Sequence, residues 1–585
     1  MSLSQHVYLF EAKSVQSWLF AGDKLRDAVG GSALVDGLAR WPPENEARDG
    51  KAGAEQDATD LVTLAVKQAG VDFDKEAYLR RAGGGLIISA KSRDDLRRFR
   101  ACWTFLVALH APGLLFEDAI GSGSGEDAEA RALDAAREAI SERFRHLPDP
   151  MRANPWTALA PRTGRAALSE TSAAVPGERQ DAATQARRRY LPSHRDNFRV
   201  GRNDPVGARF YASDDVLWPN EMDEEDIKGY AHEIPFPFVT SEQRTVGLLH
   251  ADANFLGQTL IGLRRKGLSG AVLSRFSRLV AKCVAEAANQ ATAETLVPWG
   301  VQYGNRRTLP ARPVLLGGDD LTILLRGDRA VPFAEVFMRE FATATAKNLK
   351  ALRSKLEKEG VSKEALEPLP NGLSAGAGIV FVKSRQPFAQ VHTLCESIAR
   401  FAKDEAKKRT SEGHVPPSTL AFHRVTTSAI PESYTEAVIR RELSLGGGDA
   451  APVLTMNPYL VDDPKTDAGS GGGFRNGLAP LAAVRELCAS FADEGMARGP
   501  ARKITAELLE GDWHRPWARM LTVAEDQTPE GFRKFASALR ELGCTDVDGA
   551  AGELSPWNGT RTPLLDALSL RAAEKAGDAS LTEAS

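Results

Sequence analysis

No stretch of the chain approaches the roughly twenty consecutive apolar residues that a membrane-crossing helix requires. The opening Met1-Ser2-Leu3-Ser4-Gln5-His6 lacks the pattern of a secretory signal. A cytoplasmic protein with no membrane partner is therefore expected. Cysteine is scarce, and Cys102, Cys283, Cys395, Cys488 and Cys544 lie too far apart for paired zinc-ligand spacing or a disulfide framework. They are expected to be reduced core residues. Charge of one sign is not in excess: 74 Lys and Arg against 78 Asp and Glu leave −4, which argues against nonspecific coating of nucleic acid and leaves room only for local basic patches. Walker A loop, dinucleotide fingerprint, nucleophile elbow and histidine-aspartate dipeptide are all missing.

What is present is an ordinary globular composition, 42% hydrophobic and 26% charged, over 585 residues. That length exceeds what a single core can serve and gives a prior of about three to five domains. The most specific feature is Leu315-Leu316-Gly317-Gly318-Asp319-Asp320-Leu321-Thr322-Ile323-Leu324-Leu325, two apolar strand-like runs joined by a tight turn. Glycine permits the positive dihedrals that a hairpin needs. Two adjacent carboxylates at the tip are unnecessary for folding and suited to a divalent cation. Upstream, Thr245 to Asp252 reads as a buried strand followed by a turn and a helix. In a β-α-β-β-α-β sheet the first strand lies antiparallel beside the third. Asp252 is thus expected beside Asp319 and Asp320, in a cluster able to hold two hard cations against a triphosphate. His250, two residues before Asp252, reads as a packed histidine rather than a catalytic base.

An internal repeat accompanies this hairpin. Val7 to Glu11 is strand-like, Val15 to Phe20 opens a helical pattern running towards Leu38, and Leu79 to Ser89 reads as two strands around a glycine turn. Aligning Leu86 with Leu321 sets Gly84 and Gly85 where the later copy has Asp319 and Asp320, so the first copy is expected to lack metal ligands. Phe116 to Arg145 reads as one or two helices interrupted by Gly121-Ser122-Gly123-Ser124-Gly125. Arg187-Arg188-Arg189-Tyr190, with Arg195, Arg199 and Arg202 beyond, fits RNA phosphates and a solvated or partner-facing loop equally well. Helical patterns cover Ser274 to Ala291, Phe333 to Leu356 and Pro387 to Lys403, with a strand over Leu373 to Val382. Lys403, Lys407 and Lys408 end the last helix, where any one could reach a triphosphate but each taken singly reads better as a solvated terminus favouring the dipole. Glycine runs at 446–448 and 469–473 bracket Leu454 to Leu460 and suggest a tether. Helical segments then follow at Leu481 to Ala492, Ala501 to Leu509, Phe532 to Leu542 and Leu564 to Ala573.

The expected class is α+β: two ferredoxin-like palm domains of the nucleotide-cyclase kind with helical inter-palm and C-terminal domains. The expected divisions are a degenerate first palm at 1–115, an inter-palm region at 116–244, the second palm at 245–440, a Gly-rich linker at 441–478 and a helical domain at 479–585.

Four stretches together resemble the large polymerase-cyclase subunit of type III CRISPR effector complexes, of the Csm and Cmr kinds. They are Val15 to Phe20 with Lys24 to Ser32, Asp252 to Gly257, Gly317 to Asp320, and Ser374 to Gly376 through Pro387 to Lys403. The resemblance implies antiviral defence by an enzyme that converts ATP to cyclic oligoadenylates after target RNA recognition. Asp252, Asp319 and Asp320 would be its catalytic and metal-binding acids, holding two Mg²⁺ or Mn²⁺ ions. Ala253, Asn254, Gly317, Gly318 and Lys403 would meet the nucleotide, Lys403 at the triphosphate. Guide RNA, target RNA and other subunits of the complex would be its partners. Two departures from the family pattern are expected. No histidine-aspartate nuclease domain precedes the first palm, so DNA cleavage is not implied. Ala158 to Arg165 matches the family's zinc region without its ligands, so other contacts must hold that segment. The alternatives are a diguanylate-cyclase-like enzyme, against which Leu321 after Asp320 speaks, and a noncatalytic scaffold subunit.

Overall fold

The computed structural model describes residues 4–39, 61–141, 156–168, 179–190, 204–222, 234–239, 244–445, 451–461, 477–491, 498–510, 514–545 and 554–577, less positions 23, 83, 126 and 269. Arg195, Arg199, Arg202, both glycine runs of the expected tether and the tail beyond 577 lie outside the described residues.

The first sheet is built from β1 (Ser4–Lys13), α1 (Leu25–Leu38), β2 (Tyr78–Ala82), β3 (Gly85–Ala90), α2 (Arg93–His110) and β4 (Leu115–Ser124). Its strand order β2-β3-β1-β4, antiparallel throughout, is that of a ferredoxin-like fold. β1 is central and buried on both faces. Tyr8 and Phe10 meet Phe99 and Trp103 of α2, while Val7 and Leu9 pack on the other side with Ala132, Leu133 and Ala136. Ser92 caps α2 by accepting the Asp95 N–H at 3.2 Å.

The glycine run that was expected to interrupt helices is instead the end of β4. The helix α3 (Ala128–Ser141) follows and lies against it. A Cβ at Gly121 would stand 1.9 Å from the Ala132 carbonyl oxygen, and one at Gly123 2.0 Å from that of Ala128. These glycines therefore serve close strand–helix approach. The first sheet also extends beyond residue 115, the expected boundary of the first palm.

Hydrogen bonds organise the described part of the inter-palm region. Asp181 caps α4 (Ala182–Arg189) by accepting the Thr184 N–H at 3.0 Å and also accepts the Thr163 hydroxyl at 2.6 Å. Two of the three consecutive arginines turn inward, while Arg189 stays exposed and donates to Gln185 Oε1 at 3.0 Å. Arg187 is fully buried and donates to the backbone carbonyl of Trp18 and to Thr184 Oγ1, the latter at 2.9 Å. Arg188 Nε donates to Asp27 Oδ1 at 2.6 Å. Both arginines thus fasten α4 to the first palm.

The second sheet comprises β5 (Thr245–Ala253), α5 (Leu256–Arg265), α6 (Gly270–Thr295), β6 (Ala311–Gly317), β7 (Asp320–Arg326), α7 (Gly327–Lys358), β8 (Ala375–Lys383), α8 (Phe388–Lys408), β9 (Thr419–Arg424) and β10 (Tyr459–Leu460). Its order is β10-β9-β8-β5-β7-β6, with the β8–β9 pair parallel and the other pairs antiparallel. α7 approaches one face at Gly247, where a Cβ would meet Ala330 Cβ at 2.7 Å. α8 covers the opposite face, so closely that a Cβ on Gly378 would lie 2.6 Å from Ala399 N.

Residues 451–461 are packed rather than a free tether. They supply the edge strand β10 and are bound by Asp566, which accepts Thr455 Oγ1 at 2.9 Å, Met456 N at 2.8 Å and the Tyr459 hydroxyl at 2.6 Å. Asp566 belongs to the last of the C-terminal helices, α9 (Leu481–Ala489), α10 (Arg498–Glu510), α11 (His514–Gln527), α12 (Pro529–Glu541) and α13 (Leu564–Glu574). Four of these match the expected segments, and α11 was not foreseen. Among the described residues no helix is long and apolar enough to cross a membrane.

Candidate active site

β5 ends at the rim of the second sheet one residue past Asp252. The two-residue turn Gly318-Asp319 joins β6 to β7, with Gly318 at φ 56°, a positive dihedral that a side chain would disfavour. In the antiparallel register Asp320 sits directly across from Asp252, and Gly376 of β8 sits across from Asp252 on its other side. One carboxylate oxygen from each of Asp252, Asp319 and Asp320 lies within 4.8 Å of the others, and all three residues are half-buried. The expected convergence is therefore realised by direct strand pairing.

Crowding sets the electrostatics. Burial, followed by the negative charge of Asp252, pushes the Asp319 carboxyl up to about 6. Burial, then repulsion from Asp319 and Asp252, pushes that of Asp320 up to about 8. Such a cluster favours protons or cations over bare charge. His250 is spent on packing, as expected: its Nδ1 lies 3.0 Å from Thr322 Oγ1, and burial lowers it to about 4, so it is neutral near pH 7.

Lys403 comes from α8 and ion-pairs with Asp252 through Nζ, which also donates to the Ala253 carbonyl at 3.1 Å. Its stem crosses the bare backbone of Gly376, where a Cβ would sit 2.2 Å from Lys403 Cγ. The role of Gly376 was not foreseen, because it depends on how α8 lies across β8. Asn254, expected at the nucleotide, is turned into the protein. It is buried, and its amide donates to Ser374 Oγ at 2.9 Å and to the Pro417 carbonyl at 3.5 Å. Asn254 thus braces the end of β5 against the start of β8. Next to it Phe255 holds φ 70°, a left-handed conformation uncommon outside glycine, at the cap of α5. Ala253 is buried and contributes its carbonyl, while Gly317 and Gly318 form the hairpin tip.

The first sheet repeats the register. Gly85 pairs with Glu11 as Asp320 pairs with Asp252, and Glu117 stands across from Glu11 where the second sheet has Gly376. Its hairpin lacks the acids, as expected, yet Glu11 keeps a carboxylate at the position of Asp252. Lys13 Nζ lies 3.0 Å from Glu11 and 3.2 Å from Glu117, so a single ammonium bridges the two carboxylates of this rim. A cavity of about 230 Å³ between Lys24, Val246, Leu324 and Lys383 lies at the other end of the second sheet, away from the acids.

Residues 245–411 match the family model described as Cas10/Cmr2, second palm domain. No curated protein matches the chain. Among solved structures, Csm1 in T. onnurineus is 14% identical with a TM-score of 0.38, over 68% of this chain and 51% of that one. A Csm1–Csm4 cassette in complex with cA4 is 11% identical with a TM-score of 0.45, over 97% and 70%. A Csm1–Csm4 cassette in complex with one ATP is 13% identical with a TM-score of 0.38, over 69% and 54%. The chain thus spans about half the length of the first of these. Asp252, Asp319, Asp320 and Lys403 all fall inside the matched segment, and the chain carries a Cas10/Cmr2 second palm domain.

Proposed function

We propose that the chain is the large subunit of a type III CRISPR effector complex and converts ATP to cyclic oligoadenylates when the complex recognises target RNA. The observation that carries this reading is the meeting of three half-buried carboxylates at the rim of a Cas10/Cmr2 second palm. The donor set fits hard divalent cations such as Mg²⁺ or Mn²⁺, which prefer carboxylate oxygen. Bound there, such a cation activates a ribose hydroxyl and neutralises charge on the phosphates.

The chain's own residues supply position and charge. Asp252 and Asp319 anchor the cation-binding rim, Asp320 assists or accepts the hydroxyl proton, and Lys403 meets the triphosphate. The paired strands hold these groups in register before the nucleotide arrives, which is the main demand of in-line phosphoryl chemistry. Gly317 and Gly318 keep the hairpin tip bare for close approach of the nucleotide.

The test is oligoadenylate formation by the assembled complex carrying Asp319→Asn with Asp320→Asn. Product is expected to fall at least roughly 10²–10³-fold, as for loss of a principal charge-stabilising group. Product equal to that of the unaltered complex would reject the assigned site and favour a scaffold role.

A further inference from the structure

Lys403 occupies an unexpected place for a residue that meets a triphosphate. Its ammonium rests on Asp252 and the Ala253 carbonyl, beside the oxygens that would hold a cation. Among the described residues Asp252 alone of the three acids has a cation at ion-pair distance. From this geometry, and resting on the reading of the rim as a cation-dependent nucleotide site, we infer that Lys403 is a resident counter-ion exchanged between Asp252 and the triphosphate, so that cation and nucleotide load the site together.

An ammonium and a divalent cation compete for the same carboxylate, because each neutralises it and each repels the other at close range. A cation binding at the trio therefore has to displace Lys403. The lysine can leave without disturbing the fold. Its side chain is about a quarter exposed, and its flexible four-carbon stem lies over Gly376, where no side chain fixes it from the strand side. Once off Asp252, the ammonium is available to the phosphates that the cation also attracts. Each ligand then removes part of the cost of binding the other, and by linkage the coupling is reciprocal.

The measurement is Mn²⁺ affinity of the full chain by titration calorimetry, with and without the α,β-methylene analogue of ATP, which cannot undergo transfer at the α-phosphorus. Without nucleotide, Lys403→Met is expected to bind Mn²⁺ roughly tenfold more tightly than the unaltered chain, within the range usual for coupled sites. The analogue is expected to strengthen Mn²⁺ binding in the unaltered chain and to do so much less in the variant. If Lys403→Met fails to fold, Gly376→Ala, which keeps the ammonium but pushes its stem from the strand, is read by its Mn²⁺ affinity without nucleotide alone, with tighter binding expected and equal or weaker binding overturning the exchange.

Equal or weaker Mn²⁺ binding by the variant without nucleotide overturns the exchange, while the reading of the site stands if Asp319→Asn with Asp320→Asn abolishes the Mn²⁺ binding that the unaltered chain shows. If that double variant binds Mn²⁺ as the unaltered chain does, the reading of the site falls and the exchange falls with it.

Discussion

Asp319 and Asp320 have carboxyls raised by burial and mutual repulsion to about 6 and about 8, against a usual value near 4. A carboxyl whose folded value is raised holds its proton longer in the folded protein, so its contribution to stability is complete below pH 4 and is lost as pH rises through 6 to 8. In the presence of a chelator, Asp319→Asn with Asp320→Asn is therefore expected to raise the melting temperature at pH 8 by a few degrees, with little gain at pH 4. Relief of about 1 kcal/mol corresponds to roughly 2–4 °C in a domain of this size. Melting curves at the two pH values check this, and an equal shift at both would contradict the crowding. Residue identity at the rim was legible in the sequence, since a Gly-Gly-Asp-Asp turn between apolar runs and an acid ending an upstream strand imply one another in this topology. The committed amide of Asn254, the clearance at Gly376 and Glu11 beneath Lys13 were not legible. Each depends on a neighbour brought in from far along the chain.

At the scale of elements, glycine decides where helices press on sheets. Gly378 and Gly376 face α8 from alternate positions of β8, and the first lets the helix backbone come to within van der Waals contact of the strand. Gly378→Ala would bring its Cβ to 2.6 Å from Ala399 N and 2.7 Å from the Cys395 carbonyl oxygen, backbone atoms that cannot turn aside. A loss of about 1–3 kcal/mol is expected, as for overpacked interiors. α8 also carries Lys403, so Mn²⁺ affinity should change with stability. Urea unfolding and the Mn²⁺ titration together check this, and a variant unaltered in both would contradict the packing. The same effect explains the misreading of β4. A run of glycine and serine before an Ala- and Glu-rich helix looks like a break between helices, but Gly121 and Gly123 are bare because α3 lies on them. The long strands and helices of the second palm were legible because their apolar periods are sustained, whereas β10 is only two residues long and carries no period to detect; α11 is amphipathic but opens on His514-Arg515-Pro516, which reads as a break.

For the whole molecule, the question is how helices near the C-terminus are tied to the second palm. Asp566 of α13 is buried and accepts from Thr455, Met456 and Tyr459, which precede or form the edge strand β10. Burial raises its carboxyl to about 7, and its loss would leave the Thr455 hydroxyl, the Met456 N–H and the Tyr459 hydroxyl without their shared acceptor. Asp566→Ala is expected to destabilise by about 3 kcal/mol, the range for orphaned buried hydrogen-bonding groups, and to open 451–461 to protease. Unfolding curves with limited proteolysis measure both, and protection equal to that of the unaltered chain would contradict the tie. This link was invisible in the sequence because more than a hundred residues separate its ends. At the other side, Arg187 reaches the Trp18 carbonyl and Arg188 reaches Asp27, so these two arginines bind α4 to the first palm, while Arg189 remains exposed.

The central claim, that Asp252, Asp319 and Asp320 together hold cations for nucleotide chemistry, is tested most directly by anomalous diffraction from crystals soaked with Mn²⁺ and the α,β-methylene ATP analogue. The account predicts Mn²⁺ bonded to oxygens of Asp252 and of the Gly317–Asp320 hairpin, with the analogue's phosphates on the same ions. Mn²⁺ bound elsewhere, or an analogue seated away from these three carboxylates, would contradict it.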